Sequence, residues 1–194
     1  STAPKAAVEA LFSGPETAVL EMIPDVSDSP LLSAAEAVLS PEPGVMTLSG
    51  AMTIAKMGKI ISTMIDHGMV HCIISTGALI AHGLSESVGK THYRHSPSMS
   101  DEELFQKGYN RVYDTLEMET NLNYVEHVVS QTLKRVDHDQ PLSSEVLTRE
   151  LGKTLADEFD GDGILKSAYV KKVPVFIPAF TDSEMGLDVG TWAM

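Results

Sequence analysis

The sequence predicts an α/β protein built on an open parallel sheet flanked by helices. Two observations carry that expectation. Helical segments alternate at long spacing with two short apolar runs, "MVHCIIS" at 69–75 and "VPVFIPAF" at 173–180. Each run then passes directly into polar, turn-forming residues, "STG" after the first and "TDS" after the second. Parallel neighbours would bring both turns to the sheet edge where such proteins bind ligands. Two strands make a poor sheet by themselves, so the sheet is expected to be incomplete within this chain.

The elements follow in order. Residues 1–45 read as an N-terminal arm or subdomain of short helices: "APKAAVEALF" and "LLSAAEAVL" are rich in Ala and Leu, and six prolines punctuate them. Residues 46–194 form the α/β part. Within it, 52–67 reads as one amphipathic helix, with Ile54, Met57, Ile60, Ile61, Met64 and Ile65 on its apolar face and Gly68 to end it. The strand at 69–75 is followed by a short helix at 79–88 and a loop at 89–98. Ser100 and Glu103 have the spacing of a capping box for a helix over 101–107. "YNRVYDTLEM" reads as a strand or an exposed segment. Helices are expected over 121–136, over 144–159 from Ser143 or Ser144, and over 164–171, with "DGDG" as a break between the last two. Pro174 and Pro178 push the second strand towards its own ends or a sheet edge, and "TDSEMG" reads as a turn.

Composition narrows the function. The 194 residues carry a formal net charge of −13, which argues against non-specific nucleic-acid binding and against an anionic membrane surface. A cationic small molecule or a basic partner stays compatible with it. The one cysteine, Cys72, lies in an apolar run and reads as a buried structural thiol, consistent with a cytoplasmic setting. No basic start followed by an apolar core marks a signal peptide, and no run has transmembrane length.

The candidate site is the pair of turns. Ser75, Thr76, Gly77 and Ala78 lead into a helix whose first N–H groups could face an anion such as a pyrophosphate, or could simply form a tight strand-to-helix turn. The dinucleotide fingerprint G-x-G-x-x-G is absent. Asp182, after Thr181, could accept bonds from ribose hydroxyls or an amine, or could cap the next turn. "EFDGDG" imitates part of a calcium loop, but its last position would be Tyr169 where a bidentate Glu is needed. His67, His71, His92 and His95 lack metal-ligand spacing with a third partner, so no metal is expected. No nucleophile and base pair can be assigned.

Four blocks carry a resemblance: "LSGAMTIAKMGKIISTMIDHGMVHCIISTGALIAHGL" (48–84), "KTHYRHSPSMSDEELFQKGYNRVYDTL" (90–116), "LGKTLADE" (151–158) and "KVPVFIPAFTDSEMGLD" (172–188). On these the chain resembles the deoxyhypusine synthase family, and more closely its divergent deoxyhypusine synthase-like branch. The resemblance implies a Rossmann-like NAD-binding domain, a homotetramer, and transfer of an aminobutyl group from a polyamine such as spermidine to an acceptor amine or protein lysine. Products of deoxyhypusine or homospermidine type would result. It implies that Thr76, Gly77 and Ala78 form the NAD-contacting turn, that Asp182 lies near the cofactor, and that Thr53 makes a further polar cofactor contact. Strict synthases carry acidic residues at the positions of Ala81, His82 and Leu187. His82 is therefore substrate-adjacent in this reading, and a histidine there is typical of the divergent branch. The family's glycine-rich loop, substrate-binding histidine and tryptophan, and imine-forming lysine lie beyond the matching blocks; Lys166, Lys171 and Lys172 are not that lysine. Two alternatives stay open. One is a non-catalytic, structural or regulatory subunit of such a complex. The other is a generic α/β ligand-binding domain with a fold-level likeness only.

Overall fold

The computed structural model describes residues 44–194, apart from 51 and 140. The helical arm expected before residue 44 lies outside the described residues. Nothing is described of the side chain of Asp182.

A three-stranded parallel sheet forms the centre, in the order β1 (Val45–Leu48), β2 (Cys72–Ser75), β6 (Val175–Phe176). Val45 pairs with Cys72 and Leu48 with Ser75, while Ile74 pairs with Phe176. The two apolar runs are thus parallel neighbours as expected, and β1 is a third strand that the reading did not place. The second run is strand over only two residues, because Pro174 and Pro178 bracket it and neither can donate to a ladder.

Helices α1 (Gly58–Asp66), α5 (Ser144–Glu158) and α6 (Ile164–Lys171) pack together, α6 lying against both of the others. Ile73 and Val175 point into this core with Ile61, Ile65, Leu147, Leu151 and Leu155. Ser143 caps α5 by accepting from the N–H of Val146. Inside α5, Thr148 donates to the carbonyl of Val175 at 2.9 Å and Ser144 accepts from the N–H of Ile177 at 3.0 Å, which fixes β6 against the helix. The opposite sheet face carries Val45, Ile74 and Phe176, exposed at 56%, 37% and 41%.

The expected helix over 52–67 begins only at Gly58. Lys56 has a φ of +64°, and the N–H groups of Lys56 and Met57 bond back to the carbonyls of Thr53 and Met52 at 3.0 Å. The reason is tertiary. Thr53 and Ile54 are buried, and Thr53 donates to the carbonyl of Leu79 at 2.8 Å, which draws this stretch across the next helix. Ile60, assigned to the apolar face, stands at the surface.

Helix α2 (Gly77–Ser87) starts two residues earlier than expected, because Thr76 caps it by accepting from the N–H of Leu79. Within the loop expected at 89–98, β3 (Tyr93–Arg94) joins a second, antiparallel sheet in the order β3, β5 (Thr115–Met118), β4 (Tyr109–Val112). "YNRVYDTLEM" is therefore a hairpin, turning at Tyr113 with φ +57°. Helix α3 (Asp101–Gln106) carries the complete Ser100/Glu103 capping box. Helix α4 (Glu119–Leu133) follows β5 directly.

"TDSEMG" is no simple turn. A 3-10 turn over Phe180–Asp182 leads into α7 (Glu184–Ala193), capped by Ser183, which accepts from the N–H of Gly186. Helix α7 packs on α2 and α4. Near its end Trp192 stacks on His138, ring centroids 5.3 Å apart. No helix among the described residues is long and apolar enough to cross a membrane.

Candidate functional site

The two turns meet at one edge of the parallel sheet. β2 ends at Ser75 and α2 begins at Gly77, so the N–H groups of Gly77 and Ala78 occupy a helix N-terminus and have no partner within the helix. The hydroxyl of Thr76 is already engaged, donating to the carbonyl of Gly50 at 2.8 Å while it caps α2. Ser75 bonds the carbonyl of Thr76 at 3.0 Å. A Cβ at residue 77 would overlap the Cβ and Oγ of Ser183. Gly77 is thus required by close approach of the second turn, and Thr181, Asp182 and Ser183 lie beside the start of α2. Thr53 is away from this edge: its hydroxyl is buried and committed to Leu79, and its methyl packs 3.0 Å from where a Cβ of Gly83 would sit.

A second feature lies further along α2. Its side chains His82, Ser85 and Glu86 face β5 and the segment after the helix. The Glu117 carboxylate is buried at 1% exposure on β5 and holds three groups. Nδ1 of His82 donates to Oε2 at 2.7 Å, Ser85 donates to Oε1, and Nε2 of the buried His92 lies 3.2 Å from Oε1. That last approach is oblique and makes an ion pair without an aligned hydrogen bond. On its other side, Nδ1 of His92 is 3.3 Å from Oε1 of Glu86, and Lys56 pairs with the same carboxylate. The left-handed Lys56 that shortened α1 thus aims its ammonium at this cluster.

The ionisations follow from these contacts. Burial favours a neutral Glu117, but the hydrogen bonds from His82 and Ser85 and the close ion pair with His92 outweigh it and hold the carboxyl down at about 2. Burial would lower His92, yet Glu117 and Glu86 together raise it to about 9. The bond from His92, helped by Lys56, keeps Glu86 below the ordinary carboxylate range against its own desolvation. Glu117, Glu86, His92 and Lys56 therefore form a charge-balanced set.

Beside His82 runs an acidic flank. Burial pushes Glu184 of α7 up, opposed by His82 and reinforced by Glu117 and Glu119. Asp188, one turn on, is raised to about 6 by burial, then by Glu184 and by Glu126 of α4. No lysine or arginine among the described residues pairs with either carboxyl.

Of the residues singled out in the sequence, the structure brings Ser75, Thr76, Gly77, Ala78, Thr181 and Asp182 to one edge. It places His82 one and a half turns into α2, beside α7. Ala81 is buried, while Leu187 is 69% exposed. Glu117, Glu184 and Asp188 went unnoticed in the sequence, and His92 was weighed there only as a metal ligand; no local pattern joins them, since 35 residues separate His82 from Glu117. "DGDG" separates α5 from α6 and packs on α2. Gly161 and Gly163 press against Ser87 at the end of α2, and the Lys166 ammonium donates to the carbonyls of Phe159 and Gly161 at 2.7 and 3.2 Å. Cys72 is half-buried. Among the described residues no group of three His, Cys, Asp or Glu is arranged to hold a metal.

A strand-turn-helix edge with a facing turn from a parallel neighbour defines an α/β domain built on a three-stranded parallel sheet with flanking helices. The comparisons carry this further. The deoxyhypusine synthase family model matches residues 35–193. A probable deoxyhypusine synthase 2 of Methanosarcina acetivorans is 38% identical over 145 residues, covering 73% of this chain and 41% of its own length. A deoxyhypusine synthase-like protein of Elusimicrobium minutum is 32% identical over 145 residues, covering 73% of this chain and 38% of that protein. The crystal structure of an Entamoeba histolytica protein assigned as a deoxyhypusine synthase superposes with a TM-score of 0.52 at 15% identity, over 76% of this chain and 45% of that one. The chain belongs to the deoxyhypusine synthase family. It spans about two fifths of the length of the curated relatives it matches.

Proposed function

We propose that this chain is the dinucleotide-binding part of an NAD-dependent aminobutyltransferase acting on a polyamine, within a cytoplasmic homotetramer. The observation that carries the reading is the acidic flank beside the turn pair. Glu184 and Asp188 are half-buried carboxyls with no lysine or arginine partner among the described residues; Glu184 directly follows Ser183 and lies near His82, and Asp188 stands one helix turn further on. An amine dication matches such a place, since its charge would offset the burial, and then the repulsion, that raise both groups. It also replaces the acids missing at Ala81, His82 and Leu187. Residues 46–194 then act as a partial Rossmann-like domain. The free N–H groups of Gly77 and Ala78 would hold the pyrophosphate, Ser75 and Thr76 would shape the turn, and Thr181 and Asp182 would face the ribose. Thr53 would act through the carbonyl of Leu79, as support for α2. When bound, NAD would supply the hydride acceptor; the chain supplies orientation and a place for charge.

Calorimetric titration of the full chain with NAD, and then with spermidine, tests this. Saturable binding of NAD, with spermidine binding weakened at least tenfold in Glu184→Gln/Asp188→Asn, is expected. Absence of both would sink the reading. The buried Ala81 and exposed Leu187 favour one alternative, a non-catalytic subunit of such a complex. Its mark would be co-purification with a longer relative and no amine binding by this chain.

A further inference from the structure

We propose that the cavity between α5, α6 and the start of β6 binds a small apolar carboxylate, held by Lys172. The site stands apart from the turn pair and the acidic flank, and it does not depend on the transferase reading.

Three observations carry it. The first is the size and lining of the cavity. It measures about 530 Å³, inside the range of small-molecule sites, roughly 300–1,000 Å³. Leu165 and Ala168 of α6, with Val173, Pro174 and Val175 at the approach to β6, make its wall apolar. An alkyl or aryl body suits that wall, because it leaves water without stranding a polar group. Two polar groups of the wall are already engaged. Thr148 donates to the carbonyl of Val175 at 2.9 Å, and both oxygens of Glu145 accept from Arg149 at 3.1 Å.

The second is a cation left over. Arg149 is paired with Glu145 and Glu150. Lys172 also lines the cavity and has no ion-pair partner among the described residues. The matching ligand is therefore a monoanion, apolar along its body and charged at one end. The chain as a whole carries −13, so it repels an anion at a distance and the attraction has to be local.

The third is the backbone at Lys172. The residue ends α6 in the left-handed region, with φ +58° and ψ +37°. Its N–H donates to the carbonyl of Tyr169 at 3.1 Å, and the N–H of Val173 donates to the carbonyl of Ala168 at 2.8 Å. Glycine fills this paired cap most readily, and the cap makes no use of a side chain. The lysine is thus accounted for by what it lines. Strained non-glycine residues gather at ligand clamps. Both ends of β6 are then in use, the cavity at Pro174 and Val175 and the turn edge at Thr181 and Asp182.

The test titrates the full chain with octanoate and follows backbone amide shifts by NMR. Octanol and octylamine, with the same body and a different end, are the controls. Saturable shifts at Ala168, Val173 and Val175 are expected with octanoate, at an affinity about fivefold above that of either control at the same amides. Lys172→Gly should bring octanoate down to the level of octanol without lowering Tm, because glycine suits the left-handed cap. Lys172→Glu should reverse the order, so that octylamine binds there more tightly than octanoate. Wild-type chain that shows no shift at these amides overturns the proposal, and so does octanol binding as tightly as octanoate. Neither result depends on a variant that folds. Octanoate shifts gathered at Ile74 and Phe176 instead would place the ligand on the exposed sheet face and overturn it too. A folded Lys172→Gly with wild-type octanoate affinity removes the lysine from the site and the proposal with it.

Discussion

At the scale of single residues, the Glu117–His92 pair ties stability to pH from both sides. His92 is raised from an ordinary 6.5 to about 9 in the folded chain. Its contribution is therefore complete below the lower value and is lost as pH rises through the upper one. Glu117 is lowered from 4.5 to about 2, so its contribution is present above 4.5 and is lost as pH falls towards the lower value. In an Asp188→Asn background, urea unfolding across pH should show a plateau between 4.5 and 6.5 and a fall on each side. Glu117→Gln removes one of the two carboxylates that face the buried His92 and leaves Glu86 as its partner, so it should cost about 1.5–3 kcal/mol at neutral pH, read from the urea midpoint. Asp188 behaves in the opposite sense. Its folded value, about 6 against an ordinary 3.8, means that the neutral acid favours folding and that stability is lost as pH rises between those limits. Asp188→Asn should stabilise the chain above pH 6 and flatten that part of the curve, while weakening the gain in Tm that spermidine gives the wild type.

At the scale of elements, the start of α2 and the start of α7 are one structure. Gly77→Ala would drive a methyl into Ser183 and should unseat α7 from α2, with proteolysis before the main chain unfolds as the readout. Removing the α5 cap, Ser143→Ala, should cost about 1 kcal/mol in chemical denaturation. Some of these elements were legible. The Ser143 cap, the Ser100/Glu103 box and α6 are written in local residues, and local chemistry decides them. Others were not. The strand "VMTL" is four residues beside proline and glycine, too short for an alternating pattern to stand out. The first turns of the expected 52–67 helix carry a sound helical stripe, yet a single hydroxyl bond from Thr53 to the neighbouring helix overrides it. The turn pair was readable because both halves sit at strand ends. The His82 cluster was not, because it is assembled by pairing β5 beside α2, and pairing over that distance leaves no mark along the chain.

At the scale of the whole molecule, one face of the parallel sheet is clothed by helices and the other shows Val45, Ile74 and Phe176. Parallel sheets are ordinarily covered on both faces. The chain should therefore bind an apolar dye such as ANS, and Ile74→Thr/Phe176→Thr should lower the dye signal with little change in the urea midpoint. The seat of α7 has a different consequence. The chain contains one tryptophan, and it lies flat against His138. All indole emission thus comes from a single place, where α7 meets the end of α4. Emission from a stacked indole depends on the ring against it, so light from Trp192 should change when α7 lifts away from His138. The molecule carries its own lamp on the helix that bears the acidic flank, and ligand docking there can be watched without a label.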